Sequence, residues 1–281
     1  MIKVNGEEIK FETFPNGETR MITDKIKDYH IHQVQFKYEN DSDLIKLMFV
    51  KKYIDNIPTK EMSRVSHLFI YYMPYSRMDR SENGSPFTLK YISEFINSLG
   101  FNRVIIIEPH SDVTSALIDR SSPKFINFKL LPIVMNEIGF DKDVDYLVFP
   151  DSGASKRYSK IGEYCTLVGH KERDFETGRI TSLELMGIIN KVGNKAIIVD
   201  DLSSYGGTFV KTANELRKKG IKEIYLLVAH AEDSIFKGEL FEHVDKVFTT
   251  DSILSSQSLI NVSVMHNRLK VYDIEGVLKN D

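Results

Sequence analysis

The chain has 281 residues, 42% of them hydrophobic and 27% charged, with a formal net charge of -3. That is enough length for two α/β domains with sizeable cores, and the slight negative balance excludes a global basic field for a nucleic-acid backbone, so any phosphate site must be local. No apolar run approaches the roughly twenty residues that span a bilayer, the single Cys165 excludes an internal disulfide, and the first ten residues lack the apolar core of a secretory signal; a cytoplasmic protein with neither nucleic acid nor membrane as partner is expected.

In chain order, the first local signal is Phe14-Pro-Asn-Gly-Glu18, whose Pro-Asn-Gly reads as a hairpin turn. An apolar run from His67 to Pro74 reads as a buried strand and is followed by the polar set Tyr75 to Arg80. Leu89, Ile92, Ile96 and Leu99 then recur at helical spacing, with Gly100 placed as a stop, and Arg103 to Glu108 form the next strand. This is a βαβ unit. In the second half, apolar runs end at Pro150, Val168, Asp200 and Ala229, a helix is expected from Gly207 to Lys219 with Gly220 as its stop, and Lys246 to Ile253 add a strand and turn. The fold class is therefore α/β, two similar domains, each a largely parallel sheet flanked by helices, with residues 1–142 in the first and 143–281 in the second.

Ligands of such sheets sit beyond the C-terminal ends of the strands, and polar sets fall there five times: Tyr75 to Arg80, Glu108 to Asp112, Asp151 to Arg157, Gly169 to Arg179 and Asp200 to Thr208. The most specific is Ala196 to Phe209, AIIVDDLSSYGGTF, a buried strand, two carboxylates, a Ser/Gly turn and a helix start. Amides of Ser203, Ser204, Tyr205, Gly206, Gly207 and Thr208, with the helix N-terminus behind them, suit a phosphate group. Asp200 and Asp201 suit sugar hydroxyls or a hydrated Mg²⁺. The bland alternative is a capped helix with solvated acids.

This segment resembles the phosphoribosyl-pyrophosphate loop shared by type I phosphoribosyltransferases and ribose-phosphate pyrophosphokinases. Further segments single out the pyrophosphokinases: FPNGETR at Phe14 resembles their FxDGE, PYSRMDR at Pro74 their PYxRQDR, and EPHSD at Glu108 their DLH. FPDSGASKR at Phe149 resembles SPDxGxxKR, and GHKER at Gly169 resembles the lysine and arginine of the catalytic loop. The resemblance implies two phosphoribosyltransferase-like domains and assigns Lys171 and Arg173 to catalysis. It assigns Phe14, Asn16, Glu18, Arg77, Met78, Asp79, Arg80 and His110 to ATP, the Phe14 to Glu18 segment reaching in from a neighbouring subunit of a homo-oligomer. Asp151, Asp200, Asp201 and Ser203 to Thr208 go to the ribose phosphate, and His110 and Asp151 to the Mg²⁺ of Mg-ATP; Lys156 and Arg157 are helpers of Arg77, which matches the ATP-phosphate arginine. Two cations closing on a transferring phosphoryl group are what its spread of negative charge requires.

The chain departs from the pattern at Met78, where the family has glutamine, at Asn16 and Glu108, where it has aspartate, and at Ser204-Tyr205-Gly206, where it commonly has Asp-Thr-Ala. The implied activity is transfer of the β,γ-pyrophosphoryl group of ATP to the 1-hydroxyl of ribose 5-phosphate, giving phosphoribosyl pyrophosphate and AMP. Because Tyr205 can flank an exit for a larger group, the same chemistry on ADP-ribose is the first alternative. A catalytically silent regulatory homologue is the second, and a phosphoribosyltransferase would leave PYSRMDR and GHKER without use.

Overall fold

The computed structural model describes residues 1–58, 64–82, 84–173, 180–188, 194–262 and 267–279. The chain divides into two compact units, Met1–Phe125 and Ile126–Asp281, each built around its own apolar cluster.

The first unit opens with β1 (Ile2–Val4), β2 (Glu7–Glu8), β3 (Phe11–Thr13), β4 (Thr19–Met21) and β5 (Ile31–Phe36). It continues through α1 (Ser42–Asn56), β6 (Val65–Ile70), α2 (Thr88–Ser98), β7 (Arg103–Ile107), α3 (Asp112–Leu117) and β8 (Ser121–Lys124). Its sheet runs β2-β1-β5-β6-β7-β8, parallel from β5 to β8 and antiparallel at β1. The βαβ unit read from the sequence is β6-α2-β7: Leu89 and Ile96 bury one stripe of α2, and Gly100, at φ 71°, closes its C-terminus as a left-handed residue. β3 and β4 pair by themselves as a hairpin.

The second unit comprises α4 (Asn127–Ile138), β9 (Tyr146–Phe149), α5 (Ser152–Arg157), β10 (Cys165–Arg173), β11 (Ile180–Met186), β12 (Lys195–Ser203) and α6 (Gly207–Lys218). Then follow β13 (Glu223–Ala231), a 3₁₀ turn (Asp233–Lys237), α7 (Leu240–His243), β14 (Lys246–Thr250), α8 (Ser256–Val262), β15 (Leu269–Tyr272) and α9 (Ile274–Lys279). The sheet order is β11-β10-β9-β12-β13-β14-β15, parallel except at β11. Every residue of the interior strand β9 is buried, as expected of a parallel strand covered on both faces. No helix among the described residues is long and apolar enough to cross a membrane.

Two features differ from the sequence reading. The division falls at Phe125 rather than at residue 142, because α4 belongs to the second unit: its Glu137 carboxylate binds Lys246 at 2.9 Å and also Lys270, and its Asn127 binds within the same unit. The strand expected to stop at Val168 continues to Arg173, since the alternating Ile180–Met186 pairs with it antiparallel. Lys171 thus lies on a strand of a hairpin rather than on a loop.

Candidate active site

In the first unit, β6 delivers the segment that carries Arg77 and Arg80. Its first residue past Pro74 is Tyr75, held at φ 61°, a left-handed conformation that costs a non-glycine residue of order 1 kcal/mol or more. The Tyr75 hydroxyl donates to Asp41 Oδ1 at 2.6 Å, and Tyr38 donates to the same oxygen at 2.6 Å. Those two bonds hold the Asp41 carboxyl below its ordinary range, while burial and the Asp41 charge raise Tyr38. Met78 accepts a hydrogen bond on sulfur from Thr88, 3.1 Å away at the start of α2, so it closes the segment against the helix rather than offering the two-sided amide of a glutamine. Asp79 and Arg80 are paired at 3.7 Å, and Arg80 also meets Glu82 at 3.2 Å.

Glu108 follows directly on β7, buried at φ 42°, and His110 comes two residues later, half-buried. Phe14 to Glu18 form the tip of the β3-β4 hairpin: the Phe14 amide donates to Glu18 O at 2.8 Å and the Glu18 amide to Asn16 Oδ1 at 3.2 Å. Asn16 acts here as a turn residue, and Phe14 projects an aromatic ring that is 49% exposed.

In the second unit, β9 and its neighbours β10 and β12 bring the remaining candidates together. Parallel register pairs Val168 with Phe149, and Gly169 lets β10 pass the end of β9, since a Cβ there would stand 2.4 Å from the Pro150 carbonyl oxygen. Lys171 therefore lands beside Asp151, Nζ to Oδ2 2.8 Å. Asp151 also caps α5, accepting from the Ala154 amide at 2.9 Å. Burial works to raise the Asp151 carboxyl, but Lys171, the Ala154 amide and Arg157 outweigh it and hold it below the ordinary range.

From the last turn of α5, Arg157 Nη1 reaches Asp201 at 2.8 Å and Asp200 at 3.3 Å. One guanidinium thus serves two adjacent carboxylates. Burial, then the Asp201 charge beside it, push the Asp200 carboxyl well above its usual range, and Arg157 offsets only part of this.

After Asp201, the turn from Ser203 to Gly206 leads into α6, with Gly206 at φ 81° immediately before the helix. A Cβ on Gly206 would also come within 2.9 Å of Leu240, so backbone conformation and space both require glycine. Tyr205 stands 58% exposed on this turn. The Arg173 backbone closes β10, and its side chain lies outside the described residues.

Three contributors escaped the sequence reading. Asn127, fully buried, donates to the Asp200 carbonyl at 2.8 Å and to the Tyr158 hydroxyl at 2.7 Å, fixing the strand end that carries the carboxylate pair. An asparagine inside the apolar run Phe125 to Val134 was the available signal, because a buried amide needs partners. Glu232 and Ser234 stand behind the phosphate-type turn; nothing in their local sequence marks them.

No family model matches the chain. It is 24% identical to the ribose-phosphate pyrophosphokinase of Fusobacterium nucleatum over 276 residues, 96% of this chain and 84% of that one. It is 28% identical to the ribose-phosphate pyrophosphokinase of Aquifex aeolicus over 255 residues, 86% and 78% of the two chains. Among solved structures, the phosphoribosylpyrophosphate synthetase from Mycobacterium smegmatis matches with a TM-score of 0.71 at 18% identity, covering 97% of this chain and 88% of that chain, which shows the shared fold.

Proposed function

The chain belongs to the ribose-phosphate pyrophosphokinase family, and on that premise we propose that it transfers the β,γ-pyrophosphoryl group of ATP to the 1-hydroxyl of ribose 5-phosphate. The observation that carries the reading is the convergence on β9, β10 and β12 of Asp151, Lys171, Asp200 and Asp201, with the turn into α6 beside them. Asp200 and Asp201 accept hydrogen bonds from ribose hydroxyls, and amides from Ser203 to Thr208 hold the 5-phosphate. The 1-hydroxyl oxygen attacks the β-phosphorus in line, the bond from β-phosphorus to the α,β-bridging oxygen breaks, AMP leaves with that oxygen, and the hydroxyl proton passes to solvent. Positioning and charge neutralisation supply the rate, with no covalent enzyme intermediate.

ATP occupies Arg77, Met78, Asp79, Arg80 and His110, and Lys171 and Arg173 stabilise the transferring group. Mg²⁺ fits as an ion carried mainly by the nucleotide: Asp151 of the second unit would offer it hard carboxylate oxygen, His110 of the first unit is the other residue assigned to it, and among the described residues no group of three His, Cys, Asp or Glu forms a protein cage. When bound, Mg²⁺ neutralises phosphate charge. The reading places the enzyme in the cytoplasm, where ATP is supplied and a lone cysteine stays reduced.

The acceptor is tested by measuring AMP release from Mg-ATP with ribose 5-phosphate and with ADP-ribose. The names of the relatives favour ribose 5-phosphate; the exposed Tyr205 favours the second reading, ADP-ribose, because a phosphodiester needs an open exit for its adenosine and an aromatic ring on which a base can stack. Ribose 5-phosphate-dependent AMP release is the expected result. Release only with ADP-ribose would replace the acceptor, and release with neither would sink the transfer reading.

The exposed hairpin ring of Phe14 also carries an expectation about assembly. If this tip completes the adenine pocket of a neighbouring subunit, the active species is at least a dimer, and Phe14→Ala raises the KM for ATP several-fold. Light scattering that finds a fully active monomer overturns this expectation and leaves the hairpin a surface turn.

A further inference from the structure

Four successive residues of the phosphate-type turn are each backed by one group from the segment after β13. The Glu232 amide donates to Ser203 O at 2.9 Å. Ser204 Oγ meets Ser234 Oγ at 2.9 Å. Gly238 passes so close to Tyr205 that a Cβ would stand 2.2 Å from the Tyr205 carbonyl oxygen, and Leu240 fills the space beside Gly206. The segment is itself fixed, since Asp233 accepts from the Ser255 amide at 3.0 Å.

The proton count of this backing decides what Ser204 can offer a ligand. A serine hydroxyl holds one proton, and a carboxylate only accepts. Ser234 Oγ donates its proton to Glu232 Oε2 at 3.2 Å, so the proton in the 2.9 Å contact between the two serines is that of Ser204. Ser203 is occupied as well: its buried hydroxyl donates to the Ser204 carbonyl at 3.4 Å. Neither serine side chain has a proton left for an anion.

We infer that Ser234 and Glu232 are specificity-determining residues of the phosphate site, acting through Ser204. By drawing the Ser204 proton away from the turn, they remove one donor from the cradle and weaken its hold on a phosphate monoester, which brings about two negative charges and binds through donors. The assignment rests on the proposed reading of the same site and deepens it.

The two residues are separable by substitution. Ser234→Ala leaves the Ser204 proton without its acceptor. Glu232→Leu is close in size and removes the acceptor: the Ser234 proton turns to Ser204 Oγ, and the Ser204 proton is released. Both variants are expected to bind ribose 5-phosphate about 10- to 100-fold more tightly than wild type by calorimetry, the scale of one added hydrogen bond to a charged group. The gain should vanish when Ser204→Ala is added to either. A segment that merely supports the turn predicts the opposite sign, weaker binding in both.

Unchanged or weaker binding in either variant, or a gain that survives Ser204→Ala, overturns the inference. Wild type that does not bind ribose 5-phosphate overturns it together with the proposed function. Tighter binding in the variants without AMP release from any acceptor sinks the transfer reading alone and leaves the relay standing.

Discussion

Lys171→Ala is expected to lower turnover by about 100- to 1,000-fold, the usual effect of removing one preorganised group aimed at transition-state charge, while the KM for ATP moves only a few-fold. The lysine is not an idle cation. Its amine sits 2.8 Å from Asp151, and its side chain is only 9% exposed. Its charge is balanced in the ground state, so contact with the transferring phosphoryl group requires it to exchange one anionic partner for another. Such an exchange is nearly neutral for substrate binding and favourable when charge gathers on the equatorial oxygens, which places the effect in kcat rather than KM. The fold should survive, because Asp151 keeps the Ala154 amide. Steady-state kinetics with a thermal melt as control decide it, and a variant turning over near the wild-type rate would remove Lys171 from the chemistry. Arg173→Ala, assigned on sequence grounds, is expected to behave alike.

Strand ends were the legible part of this chain. Apolar runs with β-branched residues gave β6, β7, β9, β12 and β13, and the polar sets proposed as the site lie at or just past the ends of β6, β7, β9 and β12. The N-terminal β1 and β2, the short β8 and the edge strand β15 were not legible, because their 2–4 residues include polar ones and form no apolar run, whereas the four residues of β9 are all apolar. The length of β10 depended on a partner, β11, that alternates and needs a neighbour to register against.

Within the site, the carboxylate pair and the turn were readable because their residue types are unusual beside a buried strand. The roles of Arg157 and Asn127 were not. Arg157 read as a helper, and only the geometry of α5 shows that it serves both Asp200 and Asp201. The relay through Ser234 spans thirty residues of chain from Ser204, a separation at which sequence alone gives no pairing.

Asp200→Asn is expected to nearly abolish turnover and yet to stabilise the protein near neutral pH. The carboxylate lies against Asp201, with Asp151 also acting on it, and the shared Arg157 is the cation that offsets them. Asparagine keeps an oxygen for the Asp201 amide, which now donates to Asp200 Oδ1 at 2.9 Å, and removes the repelled charge. Folded-state functional groups held at such a cost commonly yield about 0.5–2 kcal/mol when neutralised. The sign follows from proton binding. The folded Asp200 pKa lies well above the ordinary 3.8, so between the two values the native state holds a proton that the unfolded chain has lost, and stability falls as pH rises through that window. The advantage of asparagine should therefore be absent below about the ordinary carboxyl pKa and full above the folded one. Asp151 has the opposite sign: its pKa is lowered, so its contribution is present above 3.8 and is lost as pH falls through the folded value. Urea melts of wild type and variant from mildly acidic to neutral pH separate the two. A variant less stable than wild type at neutral pH, or equally shifted at every pH, would show that Asp200 is not held against its neighbours. Turnover is expected to fall roughly 100-fold or more, since an amide nitrogen placed toward the ribose hydroxyls cannot accept the bonds the carboxylate accepts, and wild-type kinetics in Asp200→Asn would take the residue out of the acceptor site.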